Sequence, residues 1–273
     1  MEKIVVKLGG SIVTCREKKD FPLTLDEIMK NANEHIRRAD VKRLVNEIYS
    51  ANNFPLIVVH GVGPFGHHLV KYQNKLDKKE MVHESVAFLN KLLANYFKES
   101  GIKVKSCHPF EKCIYLGDGK FDKVEDLFEC GKPALEKNGV LLTYGDIVPA
   151  VEGVKGNCEP YQVISGDDLV GLLAEIWGAE KIIVATDVDG LFHKDPKMFK
   201  DAALIKELRS KDRMVISKNG KKIDVTGGME GKVRKLRIIA EKGIKSQIIN
   251  GLERDNLKKA LSGDESIGTL ILP

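Results

Sequence analysis

Several protein classes are excluded by what this sequence lacks. No run of 18 apolar residues occurs in the 273-residue chain, so no membrane-spanning helix is predicted. The apolar run within residues 1–10 is too short for a signal peptide, which predicts a cytoplasmic rather than a secreted protein. Five cysteines are present (Cys15, Cys107, Cys113, Cys130 and Cys158), and none forms a Cys-x-x-Cys pair. That leaves no zinc-knuckle or redox motif and predicts reduced, partly buried thiols. Charge of one sign is not in excess either: 44 Lys+Arg against 39 Asp+Glu give a net +5, spread over the whole chain. So diffuse a charge does not point to nucleic acid, although it suits an anionic small molecule. Internal repeats and low-complexity tracts are absent.

What is present is an alternation. Short β-branched runs at 4–8, 56–59, 140–143, 181–185, 246–249 and 269–272 read as strands, and the segments between them are amphipathic. Thr24 and Glu27 form a capping-box pattern opening a helix, Asp40 is placed as the cap of the next, and Asp255 as the cap of a helix over 256–261. Residues 83–97, 169–177 and 231–242 also carry helical spacing, while 117–123 and 217–222 read as turns or loops. Strands alternating with helices predict a mostly parallel sheet covered on both faces. At roughly 150 residues per domain, the length corresponds to one large α/β domain or two lobes, and 42% hydrophobic residues supply its core.

Ligands of such sheets sit at the carboxyl ends of the strands, and that is where this chain places its glycines. Lys7-Leu8-Gly9-Gly10-Ser11 joins a cation to unobstructed amides, a combination suited to phosphate oxygens. His60 closes an apolar run directly before Gly61-Val62-Gly63-Pro64-Phe65-Gly66-His67, which matches the dinucleotide fingerprint formally. The second strand ending in an acidic residue that this fingerprint requires is missing, because 78–97 reads as helix. Asp187-Val188-Asp189-Gly190 lacks the other ligands of a calcium loop and fits ribose hydroxyls or nucleotide positioning better. Gly227-Gly228-Met229-Glu230-Gly231-Lys232 has one residue too few for a Walker loop, and Val233 stands where Ser or Thr would hold magnesium. What survives is a second lysine near a helix start. Two lysines from distant segments, oriented by Asp167, are the parts phosphoryl transfer needs, since its transition state spreads negative charge over oxygens.

Taken together these loops resemble the amino acid kinase family, and most closely its isopentenyl phosphate kinase branch. The order Lys7–Ser11, His60–His67, Tyr144-Gly145-Asp146, Ser165-Gly166-Asp167, Thr186–Gly190, Asp224–Met229 with Lys232, and Ile249-Asn250 spans nearly the whole chain. The resemblance implies an open αβα sandwich with a mostly parallel central sheet, and a single domain over 1–273. Within it, 1–178 would bind the acceptor and 179–273 the nucleotide, commonly as a homodimer. It implies ATP with Mg2+, and a small phosphorylated acceptor such as isopentenyl phosphate. Lys7, His60, Asp167 and Lys232 would be catalytic. Lys7, Gly9, Gly10, Ser11, Gly63, Asp187, Asp189, Gly190, Gly228 and Lys232 would hold ATP. His60, Gly61, Val62, His67, Gly145 and Gly166 would hold the acceptor, with no protein metal ligand. Arg16, standing where the branch usually has lysine, and Lys18 are candidate phosphate contacts. Val62, Pro64 and His108 (in a Ser-x-Gln-Pro-like segment) also depart from the pattern, all on the acceptor side. A same-fold kinase for a carboxylate or phosphonate, and a non-catalytic nucleotide-binding protein, are the alternatives.

Overall fold

Five-residue runs in which every side chain is buried form the centre of the molecule, as expected of parallel strands covered on both faces. The computed structural model describes residues 2–15, 21–22, 24–72, 79–152, 160–194, 196, 198–212 and 227–273. The first part of the chain forms β1 (Ile4–Leu8), α1 (Gly10–Val13), α2 (Leu25–His35), α3 (Arg38–Ala51), β2 (Leu56–His60), α4 (Pro64–Tyr72) and α5 (Lys79–Glu99). Next come β3 (Val104–Ser106), α6 (Pro109–Lys112), β4 (Ile114–Gly117), β5 (Lys120–Asp122), α7 (Val124–Leu135), β6 (Val140–Tyr144), β7 (Asp146–Pro149) and β8 (Tyr161–Ile164). The last part holds α8 (Gly166–Trp177), β9 (Lys181–Thr186), β10 (Leu191–Phe192), β11 (Leu204–Ile205) and β12 (Glu207–Arg209). It ends with α9 (Gly227–Glu241), β13 (Lys245–Asn250), α10 (Asn256–Leu261) and β14 (Thr269–Leu272).

Among the described residues, the main sheet has the order β12-β14-β13-β9-β1-β2-β6-β3, and only the β13–β14 pairing is antiparallel. Strand β1 lies at the middle, between β9 and β2, so the carboxyl ends of two parallel strands lie beside its own. The pleat sends Ile4, Val6 and Leu8 into one core cluster and Val5 into the other. Lys7 has the parity of Val5, and its ammonium reaches Asp167 of α8 on that side. Two hydrophobic layers therefore clamp β1 and fix where Lys7 emerges. Among the described residues, no helix is long and apolar enough to cross a membrane. Cys15, Cys107, Cys113 and Cys130 are free thiols, whereas Cys158 lies outside the described residues.

Three helix starts differ from expectation. Thr24 precedes α2, yet its hydroxyl donates to the Glu27 carboxylate at 2.9 Å, so the two side chains satisfy each other and neither caps an amide. Helix α3 begins three residues earlier than expected, which puts Asp40 in its first turn, within 3.5 Å of Arg37 and 3.4 Å of Arg43. Asp255 adopts φ +65° ahead of α10 and caps nothing with its side chain. Its place is taken by Glu47 of α3, whose buried carboxylate accepts from the amides of Asp255 and Leu257 at 3.1 Å each and Lys258 at 3.4 Å. Arg43 closes the arrangement by pairing with Glu47 and donating to the Gly251 carbonyl. The 217–222 segment lies outside the described residues.

Removing Glu47 would strand several amides at the start of α10 and leave Asp40 as the carboxylate beside Arg43. Glu47→Ala should therefore lose about 3 kcal/mol of unfolding free energy, with Glu47→Gln losing less. Urea denaturation of the two variants reads the difference.

Candidate active site

At the carboxyl ends of β1, β2 and β9 the chain encloses a cleft of about 660 Å³. Its floor is made where two glycine loops meet backbone to backbone. A Cβ on Gly61 would lie 2.2 Å from the Gly10 nitrogen, so neither loop tolerates a side chain at this crossing. Gly63 takes φ +50°, and a Cβ there would fall 2.0 Å from the Thr14 hydroxyl. Pro64 opens α4, where its missing N–H has no helical partner to lose. The amides of Gly9 and Gly61 extend the parallel ladder, donating to Ala185 and Leu8 at 2.8 and 2.7 Å. They are thus committed within the protein, contrary to their expected freedom, and the amides of Gly10 and Ser11 at the start of α1 remain the ones aimed at the cleft.

Above this floor stand the charges. Lys7 forms an ion pair with Oδ1 of Asp167, and Lys232 of α9 reaches the same oxygen at 3.3 Å. Two lysines 225 residues apart in sequence thus share one carboxylate atom. Asp167 is held there by the first turn of α8, whose capping box is complete: Ser165 accepts from the Asp168 amide, and Asp168 accepts from the Ser165 amide. Lys235, one turn beyond Lys232, ties α9 to that box through Asp168 at 2.5 Å and Ser165 at 3.1 Å. Burial, helped by repulsion from Lys232, lowers the Lys7 pKa to about 8 against the pull of Asp167. Burial opposes ionisation of Asp167 as well, but the two ammonium groups outweigh it and hold the carboxyl below its usual range.

The two ends of the cleft differ in chemistry. Toward β9, Ser11 donates to Asp187 at 2.8 Å, and Thr186 donates to the same carboxylate oxygen at 3.2 Å. Gly190, Phe192, Lys194 and Met229 complete that wall, and Gly228 lies in the first turn of α9 beside Met229. Toward β6 the lining turns apolar, with Val62, Val70, Val82, Val86, Ile147 and Val163, joined by His67, Gly145 and Gly166.

Of the residues expected at the site, three stand back from the wall. Gly63 underlies it, and Asp189 accepts from Asn250 at 2.8 Å instead of facing the cleft. His60 is fully buried and stacks on Tyr144. Its Nδ1–H donates to the Gly61 carbonyl at 3.1 Å, and its bare Nε2 accepts from Asn90 at 3.1 Å. Burial brings its pKa down to about 4, so the ring is neutral and both of its nitrogens are engaged within the protein. Arg16 and Lys18 lie outside the described residues. Sequence reasoning passed over Asp168 and Lys235, although the spacing Ser165-x-x-Asp168 is itself a capping signal.

The sequence and the fold both have counterparts among known proteins. The family model described as the amino acid kinase family matches residues 2–250. The chain belongs to the amino acid kinase family. Within that family it is 30% identical to the isopentenyl phosphate kinase of Methanothermobacter thermautotrophicus over 98% of each chain. It is 29% identical to the isopentenyl phosphate kinase of Methanocaldococcus jannaschii over 95% of each. A solved isopentenyl phosphate kinase superposes with a TM-score of 0.78, at 28% identity, covering 98% of this chain and 99% of that one.

Because Asp167 is what raises the Lys7 pKa against burial, Asp167→Asn should bring it below about 8. NMR titration of the Lys7 side chain in the unliganded protein measures the direction, and a pKa unchanged or raised would contradict this account of the charge centre.

Proposed function

We propose that the protein is an ATP-dependent kinase that transfers the γ-phosphoryl group to isopentenyl phosphate, giving isopentenyl diphosphate. The observation that carries this reading is the position of the Lys7–Asp167–Lys232 centre, at the boundary between a glycine-rich polar half and an apolar half of one cleft. ATP would enter along Gly9, Gly10, Ser11, Asp187, Gly190 and Gly228, with Gly63 and Asp189 supporting that half from behind. The acceptor's tail would lie among Val82, Val86, Ile147 and Val163, and its phosphate would lie near Gly61, Val62, His67, Gly145 and Gly166. Apart from the Lys7–Ser11 segment, which serves the nucleotide, the strands up to residue 178 would serve the acceptor in this reading, and those from 179 onward would serve the nucleotide.

The chemistry then needs little from the protein beyond placement and cations. A phosphate monoester, with its second pKa near ~6, is largely dianionic at neutral pH and can attack without a general base. Lys7 and Lys232 would meet the charge that spreads over the transferring group, and Asp167 would keep the two ammonium groups aimed at it. His60 would donate to the acceptor's phosphate. A dianion beside the ring would supply a counter-charge, so that Nε2 could take up a proton from solvent and exchange Asn90 for a phosphate oxygen. Arg16 and Lys18 would add contacts to the phosphates.

Magnesium belongs to this reading as a companion of the nucleotide. Among the described residues, no group of three His, Cys, Asp or Glu side chains could hold a metal ion. Asp167 and Asp187 are already engaged by lysines and hydroxyls. A resident protein site does not fit, and the ion would arrive on the ATP phosphates. A homodimer in the cytoplasm completes the proposal.

A coupled assay of ADP release tests the reading directly. Isopentenyl phosphate should support turnover well above UMP, glutamate or acetylglutamate. ATP binding without ADP release from isopentenyl phosphate would overturn the assignment. Lys232→Met should lower kcat by about 100-fold or more with little change in acceptor KM. His60→Ala should abolish most turnover while calorimetry finds ATP affinity nearly unchanged.

A further inference from the structure

Beside the apolar half of the cleft lies a buried ion pair that the transfer chemistry does not use. The Asp146 side chain is fully buried where β7 begins, and its Oδ2 meets Nδ1 of His83 on α5 at 2.8 Å. Its Oδ1 accepts from the Ile147 amide at 2.9 Å, and Oδ2 also accepts from the Phe110 amide of α6 at 3.4 Å. The His83 ring stacks on Phe110 with centroids 4.3 Å apart, and Phe110 stacks in turn on Tyr161 of β8. One carboxylate and one imidazole thus tie together α5, α6 and β7. His83 directly follows Val82 and lies one turn before Val86, while Ile147 directly follows Asp146, and all three apolar residues line the cleft.

We propose that His83 is a positioning residue for the acceptor, whose ion pair with Asp146 fixes the spacing between the α5 and β7 walls that grip the acceptor's apolar part. The proposal rests on the acceptor assignment above and deepens it.

The charges around His83 give this clamp a pH signature. Asp146 faces it from β7, Glu111 from α6 and Glu84 from its own helix, and the neighbouring imidazole is His108, 6.2 Å away between centroids. Burial pulls the His83 pKa down, but the hydrogen bond and charge of Asp146, together with the two glutamates, raise it above its ordinary 6.5. The charged pair is therefore complete between the pKa of Asp146, which burial raises above its ordinary 3.8, and the raised pKa of His83, and it weakens as pH climbs through the latter.

Steady-state kinetics of wild type, His83→Gln and His83→Leu between about pH 6 and pH 9 test the clamp. His83→Leu should raise the isopentenyl phosphate KM about 10-fold near pH 7, with kcat and the ATP KM within about 2-fold. Glutamine keeps a donor for Asp146 without titrating, so His83→Gln should restore most of the affinity. The ratio of wild-type to His83→Gln acceptor KM should then rise with pH, because the acceptor's own ionisation divides out. A merely structural histidine would change melting temperature and leave that ratio flat. Should His83→Leu fail to fold, the ratio alone decides. An active wild type with a flat ratio overturns the role of His83 by itself, whereas a wild type that releases no ADP from isopentenyl phosphate removes the acceptor assignment and this proposal with it.

Discussion

Two ammonium groups on one carboxylate oxygen form an arrangement that a protein does not maintain without support. Lys7 is almost wholly buried, and Asp167 brings one negative charge against two positive ones. The strain is visible in Lys7, whose pKa falls to about 8 from 10.5 through burial first and repulsion from Lys232 second. A lysine with a depressed folded pKa costs stability while it is charged. That cost is complete below about 8 and is relieved as pH rises from there toward 10.5. An anion between the two lysines would reverse the sign by adding negative charge beside them. The fold therefore holds its cations in place before the ligand arrives, which is how preorganised electrostatics lowers a barrier in which negative charge spreads.

Holding them needs stiffness from three directions. Strand β1 is clamped between two core layers and two parallel neighbours, so the Lys7 backbone has little freedom. Helix α8 starts on a complete capping box that fixes Asp167, and Lys235 carries that fixation across to α9 and Lys232. The glycine crossing at Gly10 and Gly61 does the same for the floor, since two backbones in direct contact leave no room for either loop to shift toward the other. The glycines serve this packing as much as the ligand: two of the amides expected to face phosphate complete the sheet ladder instead.

Strands and glycine loops were legible because each leaves a local trace. A parallel strand buried on both faces reads as a continuous β-branched run, and the strand predicted at 4–8 coincides with β1. The run at 269–272 coincides with β14, which is half-buried and pairs antiparallel with β13. Helix starts were legible only in part. Thr24 precedes its helix but spends its hydroxyl on Glu27, Asp40 lies inside the first turn of α3 beside two arginines, and Asp255 precedes α10 without a side-chain cap bond. The α10 amides went to Glu47, some 210 residues away, and no spacing rule reports such a pairing. The same limit explains His60. Its position before a glycine loop was readable, but its engagement with Asn90, 30 residues on, was not. Asp146 stood in a recognised motif without a role, because His83 lies on a helix whose apolar spacing masks a polar contact.

These long-range partners concentrate on the acceptor side, where the sequence also departs from the pattern it resembles. Tyr144 stacks on His60 and its hydroxyl is hydrogen-bonded to Nδ1 of His108 at 2.7 Å, so the residue in the Ser-x-Gln-Pro-like segment is tied by hydrogen bond and stacking to the expected phosphate ligand. Burial keeps the Tyr144 hydroxyl protonated and lowers the His108 pKa, which favours a hydrogen bond between two neutral groups. Val62 joins the main core cluster while lining the cleft, so its bulk adds to the floor. The departures are thus connected through shared hydrogen bonds and packing. A wall built from mutually satisfied buried polar groups resists change at any one of them, since removing one partner leaves another unpaired in a low-dielectric interior. On the β9 side, Asp187 accepts from the hydroxyls of Ser11 and Thr186, and Asp189 accepts from the Asn250 amide. Under the proposed function, acceptor choice would accordingly be a property of the buried network behind the wall as well as of the side chains that touch the ligand.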